Sequence, residues 1–289
     1  MSTLVLPDFE LLLPQNIAEA VGYLSQYGKD VTVMAGGTDV LCQIKGGLRP
    51  PYILSLAEIP DLDYVIYDPS KGLRIGAMAT MAQVVENSAV KASYPALWQS
   101  AAQNGTPQTR NTATVVGNIL RASPAGDCSC AIMAHGATVV LAGPDGTREV
   151  DIDEFWLDYL VTARKPDELA VEVKVRPPKK TARSAFSALN RTRQDLSKIS
   201  AAVLLEMDGK TCTDCRVVMG AVAPFILRLR GTEPHLKGAA VTEEVIAKVA
   251  AFASQEIRPI DDIRSTAEYR RAVCGPLLAR TIRAALKAA

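Results

Sequence analysis

The chain has 289 residues and a mass of 30.9 kDa, which is enough for about two domains. Its 32 basic and 31 acidic side chains nearly cancel, and this balance argues against a dedicated nucleic-acid binder. Hydrophobic residues make up 48% of the sequence, so a sizeable core can form. The only two histidines, His135 and His235, exclude a multi-histidine metal site and leave few candidates for acid–base chemistry.

The first part of the chain predicts a mixture of short helices and strands. Residues 16–27 have the apolar spacing of an amphipathic helix, and a short apolar strand at 31–34 leads into a glycine loop. A polar stretch at 104–114 has few apolar anchors, so we expect it to be a loop. The other predicted strands lie at 52–56, 62–67, 73–77, 137–142, 147–152 and 169–175, and the other predicted helices at 40–44, 80–85, 95–103 and 127–134.

The pattern changes after Arg176-Pro-Pro-Lys-Lys180, which has two prolines and a run of positive charge and is the best candidate for a linker. Three strands and then two helices follow it, at 185–192, 201–207, 216–222, 243–255 and 267–286. We therefore expect an α+β protein with an N-terminal domain over residues 1–177 and a βββαα domain over residues 178–289.

The sequence also carries predictions about compartment. The N-terminus lacks the basic start and the uninterrupted apolar core of a signal peptide, and no apolar run approaches the ~18 residues that span a bilayer. Six cysteines in 289 residues do not make a disulfide scaffold. We expect a cytoplasmic protein with reduced thiols and no membrane span.

The first of two glycine-containing loops is Ala35-Gly36-Gly37-Thr38-Asp39, between a predicted strand and a predicted helix. Tandem glycines let the backbone approach a ligand closely, and successive N–H groups there can bind an anion. The spacing matches neither the Rossmann motif nor the P-loop motif. A tight structural turn explains this loop alone as well as a phosphate cradle does.

The second loop is Thr114-Val-Val-Gly-Asn118, and Asp127 follows nine residues later. Thr114 and Asn118 offer short polar side chains, and a carboxylate such as Asp127 can accept hydrogen bonds from the hydroxyls of a ribose or ribityl chain. Ordinary loop chemistry, in which Asn and Asp satisfy nearby backbone groups, explains this loop better when it is taken alone.

Taken together, the two loops resemble the FAD-binding (medium) subunit of the molybdenum hydroxylases, the family of xanthine dehydrogenase and carbon monoxide dehydrogenase. That family carries an AGGTD-type loop near residue 35, then an I-R-N-x-A-T-[ILV]-G-G-N segment, then S-P-x-x-D. The corresponding blocks here are residues 35–39, 109–118 and 123–127. The resemblance extends over nearly the whole chain and includes residues 73–77, 167–168 and 267–271.

This resemblance implies a p-cresol methylhydroxylase-type FAD-binding domain of two α+β subdomains, followed by a CO dehydrogenase flavoprotein-like βββαα domain. The first loop would wrap the FAD pyrophosphate, the second loop together with Asp127 would hold the remainder, and Ala170 would line the site by backbone contacts. The implied FAD-binding residues are Val33, Met34, Ala35, Gly36, Gly37, Thr38, Asp39, Val40, Asn104, Thr114, Val116, Gly117, Asn118, Asp127 and Ala170.

Three positions depart from the pattern of the family. Val116 stands where the family has a second glycine, and we expect it to narrow or shift the Asn118 loop. Asn104 stands where relatives can place an aromatic residue near the isoalloxazine ring, and Asn190 stands where some have a lysine. Which group covers the flavin, and which molecule accepts its electrons, therefore stays open.

The resemblance implies that noncovalent FAD performs the chemistry in this chain and that no side chain is catalytic. A large molybdopterin subunit would oxidise the substrate, and a small subunit with two [2Fe–2S] clusters would pass single electrons. This chain would collect two electrons and deliver them to NAD or another acceptor, so molybdopterin and iron–sulfur clusters are expected only in the partners. A stand-alone FAD oxidoreductase and a flavin-free scaffold subunit remain as alternatives.

Other candidate groups have simpler interpretations. Cys212 and Cys215 form a C-x-x-C at a predicted turn, but no second C-x-x-C completes a metal site, so reduced thiols and no bound metal are favoured. We expect His135 to cap a helix as a partly charged imidazole. The arginines of the last helix, among them Arg270, are expected on a solvated face.

Overall fold

A short parallel sheet begins the fold in the computed structural model, which describes residues 6–287. Its strand order is β1 (Glu10–Leu12), β3 (Tyr52–Ser55) and β2 (Val31–Met34). Helix α1 (Ile17–Tyr27) connects β1 to β2, and helix α2 (Val40–Lys45) starts directly after the first glycine loop. This arrangement brings the glycine loop to the end of β2, as the sequence predicts.

Helix α1 begins and ends where its sequence provides caps. The Asn16 side chain accepts a hydrogen bond from the Glu19 N–H at 2.9 Å, and Gly28 stops the helix with a φ of 57°. Its buried side chains, Ala20, Val21 and Leu24, form the apolar face that the spacing predicts.

A five-stranded antiparallel sheet forms the larger part of the N-terminal half. Its strand order is β4 (Val65–Asp68), β5 (Gly72–Gly76), β10 (Leu169–Val175), β6 (Ala137–Gly143) and β7 (Gly146–Asp151). The central strand β10 arrives from far along the chain, and a bulge between Ala170 and Glu172 breaks its regular pairing with β6. Strand β10 therefore joins parts of the sheet that are distant in the sequence.

Six helices lie between β5 and β6, and three of them, at 88–93, 107–110 and 115–120, were not predicted from the sequence. The six are α3 (Met81–Glu86), α4 (Ser88–Ser93), α5 (Pro95–Gln103), α6 (Pro107–Arg110), α7 (Val115–Leu120) and α8 (Asp127–His135). Helix α7 contacts β5 and β10 of this sheet and includes residues 115–118, which were expected to form part of the second loop. The prediction of a loop over 104–114 is wrong at α6. Thr106 Oγ1 accepts from the Thr109 N–H at 3.1 Å, and Pro107 takes the first helical position.

The C-terminal half is a four-stranded antiparallel sheet covered by two helices. The elements are β11 (Ala182–Leu189), β12 (Ile199–Asp208), β13 (Thr211–Gly220), β14 (Leu227–Arg228), α10 (Glu243–Glu256) and α11 (Ala267–Lys287). Strand β14 adds two residues to the three predicted strands. Strand β13 starts earlier than predicted, so the turn predicted for the C-x-x-C is wrong: Cys212 and Cys215 are buried within the strand.

The two halves meet along helix α8, all nine of whose residues are buried. One face of α8 contacts α5 and α7, and another contacts β12 and β13 of the C-terminal sheet. Between β7 and β10 lie a short helix, α9 (Ile152–Phe155), and a small hairpin, β8 (Trp156–Asp158) with β9 (Val161–Thr162). Within residues 6–287, no helix is both long and apolar enough to cross a membrane.

Candidate functional site

A cleft of about 1060 Å³ opens where the two halves of the chain meet. Its walls include the first glycine loop, parts of the stretch 104–126, the turn of the β8–β9 hairpin and the start of β10. The C-terminal half supplies Leu196, Ala221, Ala223, Pro224 and several side chains between 260 and 270. A cleft of this size, with mostly apolar walls and a few polar groups, is typical of a cofactor site.

The first glycine loop lies directly on the backbone of the second polar segment. A Cβ atom on Gly36 would come within 1.7 Å of the Thr112 carbonyl oxygen, so only glycine fits there. Gly37 has a φ of +71°, a left-handed conformation that glycine adopts without strain. Both glycines are therefore required by the shape of this loop.

The same loop presents a run of free backbone donors along the cleft. Among the hydrogen bonds of residues 6–287, none has the N–H of Gly36, Gly37, Thr38 or Asp39 as its donor. All four residues line the cleft, and the Thr38 hydroxyl also has no partner within this part of the chain. Successive unpaired N–H groups form a concavity that suits an anion such as a diphosphate.

The second loop is held by its own side chains and by a neighbouring helix. Thr114 caps α7, since its Oγ1 accepts from the Gly117 N–H at 3.1 Å, and a Cβ on Gly117 would come within 2.6 Å of that oxygen. The Asn118 Oδ1 accepts from the hydroxyl of Ser129, on α8, at 3.2 Å. These contacts fix the backbone of the loop where it faces the cleft.

An ion pair joins the first loop to the residue that follows α7. The Arg121 Nε lies 2.7 Å from Asp39 Oδ2, and both residues line the cleft. Arg121 comes directly after α7, and its guanidinium reaches the first loop. No sequence signal pointed to Arg121, because its partner lies far away along the chain.

Most of the residues that the resemblance implies for FAD come together in this cleft. Those that line it are Val33, Ala35, Gly36, Gly37, Thr38, Asp39, Val40, Asn104, Thr114, Val116, Gly117, Asn118 and Ala170. Met34 and Asp127 do not line it. The Asp127 carboxylate instead accepts hydrogen bonds from the buried Ser197 hydroxyl, at 2.8 Å and 3.0 Å.

The three departures from the family pattern have simple structural roles. The Val116 side chain packs mainly in the hydrophobic core, although the residue also borders the cleft. The Asn104 carbonyl accepts from Arg110 at 3.2 Å at the end of α5, and the residue lines the cleft. Asn190 lies outside the lining and donates to the Asp195 carbonyl at 2.6 Å.

Two polar side chains in the cleft lining, Arg270 and Glu168, were not predicted as site residues. Arg270 lines the cleft yet is only 2% exposed, so the expectation of a solvated arginine is wrong. Its position four and seven residues before the buried Cys274 and Leu277 is a helical spacing that marks it as inward-facing. Glu168, also in the lining, accepts from Arg148 Nε at 2.6 Å, which holds the pKa of that carboxyl below its usual value.

The other candidate groups do not form a second chemical site. His135 is buried, with Nε2 3.3 Å from Ser184 Oγ. Burial, with a smaller effect of Arg216, lowers its pKa to about 3, so the expectation of a partly charged cap is wrong. Within residues 6–287, no group of three or more His, Cys, Asp or Glu side chains could hold a metal ion.

Comparison with known proteins identifies related chains over nearly the whole length. The family model described as the FAD binding domain in molybdopterin dehydrogenase matches residues 7–178. The model of the CO dehydrogenase flavoprotein C-terminal domain matches residues 184–285. Matches to two separate models, in the order in which the two halves of the chain occur, make the relationship specific.

Individual relatives and a solved structure agree with these matches. The carbon monoxide dehydrogenase medium chain of Hydrogenophaga pseudoflava is 31% identical over 96% of this chain and 97% of that protein. The xanthine dehydrogenase FAD-binding subunit of Escherichia coli O157:H7 is 27% identical over 95% and 94%. A solved structure of carbon monoxide dehydrogenase from Hydrogenophaga pseudoflava contains a chain that superposes with a TM-score of 0.95, at 31% identity, covering 98% of this chain and 99% of that one.

Proposed function

The chain belongs to the family of FAD-binding subunits of molybdopterin dehydrogenases, and we propose that it is the electron-transfer subunit of a molybdenum hydroxylase complex. The observation that carries this proposal is the cleft, in which two glycine-containing loops and a run of free backbone donors face one space. Bound FAD would supply a redox centre able to exchange electrons both singly and in pairs.

The residues of this chain would bind and orient the cofactor. The free N–H groups of residues 36–39 would bind the diphosphate, and Thr38 would add a hydroxyl donor. Thr114, Gly117 and Asn118 would hold the following part of FAD, and the bulged start of β10 would support it at Ala170. Asp39 and Arg121 neutralise each other, so neither charge opposes the cofactor.

The FAD of this chain would receive electrons from a partner subunit and pass them to an acceptor molecule. The named relatives are subunits of carbon monoxide and xanthine dehydrogenases, which favours a small [2Fe–2S] subunit as donor and a large molybdopterin subunit as the site of substrate oxidation. NAD or another acceptor would take the electrons. Molybdopterin and the iron–sulfur clusters would thus be held by the partners, and FAD by this chain.

The proposed subunit consists of two domains and is located in the cytoplasm. We place the boundary at residues 177 and 178, in the stretch between β10 and β11 that contains Pro177 and Pro178. All six cysteines are free thiols, which suits the reducing conditions of the cytoplasm.

FAD titration of the purified chain tests the proposal most directly. We expect one FAD to bind per chain, and Thr38→Ala to weaken binding by about tenfold, the value of one hydrogen bond to a charged group. Thr147→Ala, an exposed threonine of β7 outside the cleft, is the matched control and should bind FAD like the wild type. A wild-type chain that binds no FAD would overturn the proposal.

Purification from native cells tests the role as a subunit. We expect the chain to be isolated with an iron–sulfur protein and a molybdopterin protein, and its flavin to be reduced when substrate is added to that complex without acceptor. Substrate oxidation by the isolated flavin-loaded chain would contradict a pure electron-transfer role.

A further inference from the structure

One wall of the cleft comes from the C-terminal half, through the connection between β11 and β12. Leu196 in this connection lines the cleft and is 55% exposed. Its neighbours Ser197 and Lys198 lead directly into β12, and the Lys198 N–H donates to the Leu189 carbonyl at 2.9 Å. We call residues 196–198 the wall segment.

A buried carboxyl group of the N-terminal half holds the wall segment from one side. Asp127 is the first residue of α8 and is 6% exposed. Both of its oxygens accept from the Ser197 hydroxyl, which is itself fully buried. A buried hydrogen bond between groups 70 residues apart costs free energy to break, since each group would lose its partner without gaining water.

A buried guanidinium group holds the wall segment from the other side. The Arg270 Nε donates to the Lys198 carbonyl at 2.9 Å, and its Nη1 donates to the Ile260 carbonyl at 2.6 Å. Its Nη2 lies 2.9 Å from both carboxylate oxygens of Asp262. Arg270 thus joins the wall segment to Ile260 and Asp262, which also line the cleft.

We propose that Asp127 and Arg270 are positioning residues that hold the wall segment against bound FAD, so that Leu196 limits the access of water and solutes to it. This inference rests on the proposed function, because it concerns the same cleft. The family resemblance left open which group covers the flavin, since Asn104 replaces an aromatic residue; the buried contacts assign part of that role to the C-terminal half. Exclusion of water by an apolar side chain in turn tunes a redox centre.

Two variants loosen the wall segment without touching the loops that would bind the cofactor. Ser197→Ala removes the donor to Asp127, and Arg270→Lys removes the planar fork that serves Lys198, Ile260 and Asp262 together. Arg271→Lys is the matched control, because Arg271 is exposed on the same helix and makes no hydrogen bond or ion pair within residues 6–287.

Hydrogen–deuterium exchange of the flavin-free full-length chain tests the contacts themselves. We expect amides of residues 190–199 to exchange about tenfold faster in Ser197→Ala and Arg270→Lys, the factor that loss of one buried hydrogen bond produces. Arg271→Lys should match the wild type. Unchanged exchange in Ser197→Ala would overturn the proposal, even if Arg270→Lys failed to fold.

Quenching of flavin fluorescence by iodide tests the shielding in the FAD-loaded chain. The quenching constant should rise at least about twofold in both variants, with a shifted flavin midpoint potential, while FAD affinity changes by less than about threefold. Equal quenching in variants and wild type would overturn the shielding role. Failure of the wild type to bind FAD would instead refute the proposed function and leave the exchange result to decide whether the two contacts hold the wall segment.

Discussion

Single glycine positions decide whether the cleft can form. Gly36 lies on the backbone of residue 112, and the contact leaves no space for a methyl group. Gly22, in contrast, is exposed within α1, and no atom lies within 4 Å of the place that a Cβ would occupy there. Gly36 is therefore required by a close backbone contact, whereas Gly22 only lowers the helix propensity of α1. This difference makes Gly22 a suitable control for Gly36.

Substitution of these glycines by alanine should have opposite effects. Gly36→Ala should destabilise the chain by about 2 kcal/mol or more, because its Cβ would displace the Thr112 carbonyl, and should abolish FAD binding. Gly22→Ala should stabilise the chain by about 0.8 kcal/mol, because alanine favours the helix. Urea unfolding and flavin absorbance measure both effects, and normal FAD binding by Gly36→Ala would contradict the described loop contact.

Among the individual elements, helix α8 carries a buried ionisable group at each end. Burial raises the pKa of Asp127 to about 7, with hydrogen bonds from serine acting in the opposite direction. Burial lowers the pKa of His135 to about 3. Both shifts favour the neutral forms in the folded chain, as expected for a helix with no exposed residue.

His135 and Asp127 should change the free energy of unfolding with pH in opposite directions. Unfolded His135 takes up a proton below its ordinary pKa of 6.5 and the folded form does not, so its contribution weakens as pH falls from about 6.5 to 3. Unfolded Asp127 loses its proton above its ordinary pKa of 3.8 and the folded form keeps it to about 7, so its contribution weakens as pH rises through that range.

Single variants should reveal each slope between about pH 4 and 6.5. The difference in the free energy of unfolding between His135→Gln and the wild type should become less favourable to the variant as pH rises. For Asp127→Asn the same difference should become more favourable to the variant, in each case by up to ~1.4 kcal/mol per pH unit. Urea unfolding of the isolated chain at several pH values measures the slopes. Parallel pH curves for the wild type and both variants would show that these groups are not buried in the neutral form.

Across the whole molecule, one carboxylate joins the two halves through several arginines. Asp153 of α9 has a side chain that is 12% exposed, and its carboxylate forms ion pairs with Arg228 at 2.7 Å, Arg230 at 3.0 Å and Arg216 at 3.2 Å. Glu233 holds the Arg228 guanidinium from the other side, at 2.7 Å. Removal of the Asp153 carboxylate alone would leave the guanidinium groups of Arg216, Arg228 and Arg230 close together with little access to water for the first two.

Asp153→Ala should therefore destabilise the chain by about 3 kcal/mol, the cost of breaking a buried ion pair by removing one partner. Because the contact crosses between the halves, we also expect urea unfolding to separate into two transitions. Asp145→Ala, at an exposed turn between β6 and β7, is the control and should change stability by less than about 0.5 kcal/mol. Equal midpoints for Asp153→Ala and the wild type would contradict this role.

The local features of this protein follow from its amino-acid sequence alone. The amphipathic spacing of α1, the glycine loop after β2, and the order of the two loop motifs depend on residues close together in the chain, and each could be predicted. The family resemblance added thirteen residues that line the cleft on the N-terminal side. Local propensity and loop chemistry act over a few residues, which is why these predictions needed no tertiary structure.

The partners of the buried polar groups, in contrast, became known only from the three-dimensional fold. Asp127 was expected to face the cofactor, yet its carboxylate faces Ser197; Arg270 was expected in solvent, yet it is buried at the cleft. The early start of β13 likewise placed Cys212 in the core. Each outcome depends on chain segments that are distant in the sequence and meet in the fold, where burial, rather than local propensity, sets the charge and the contacts of a side chain.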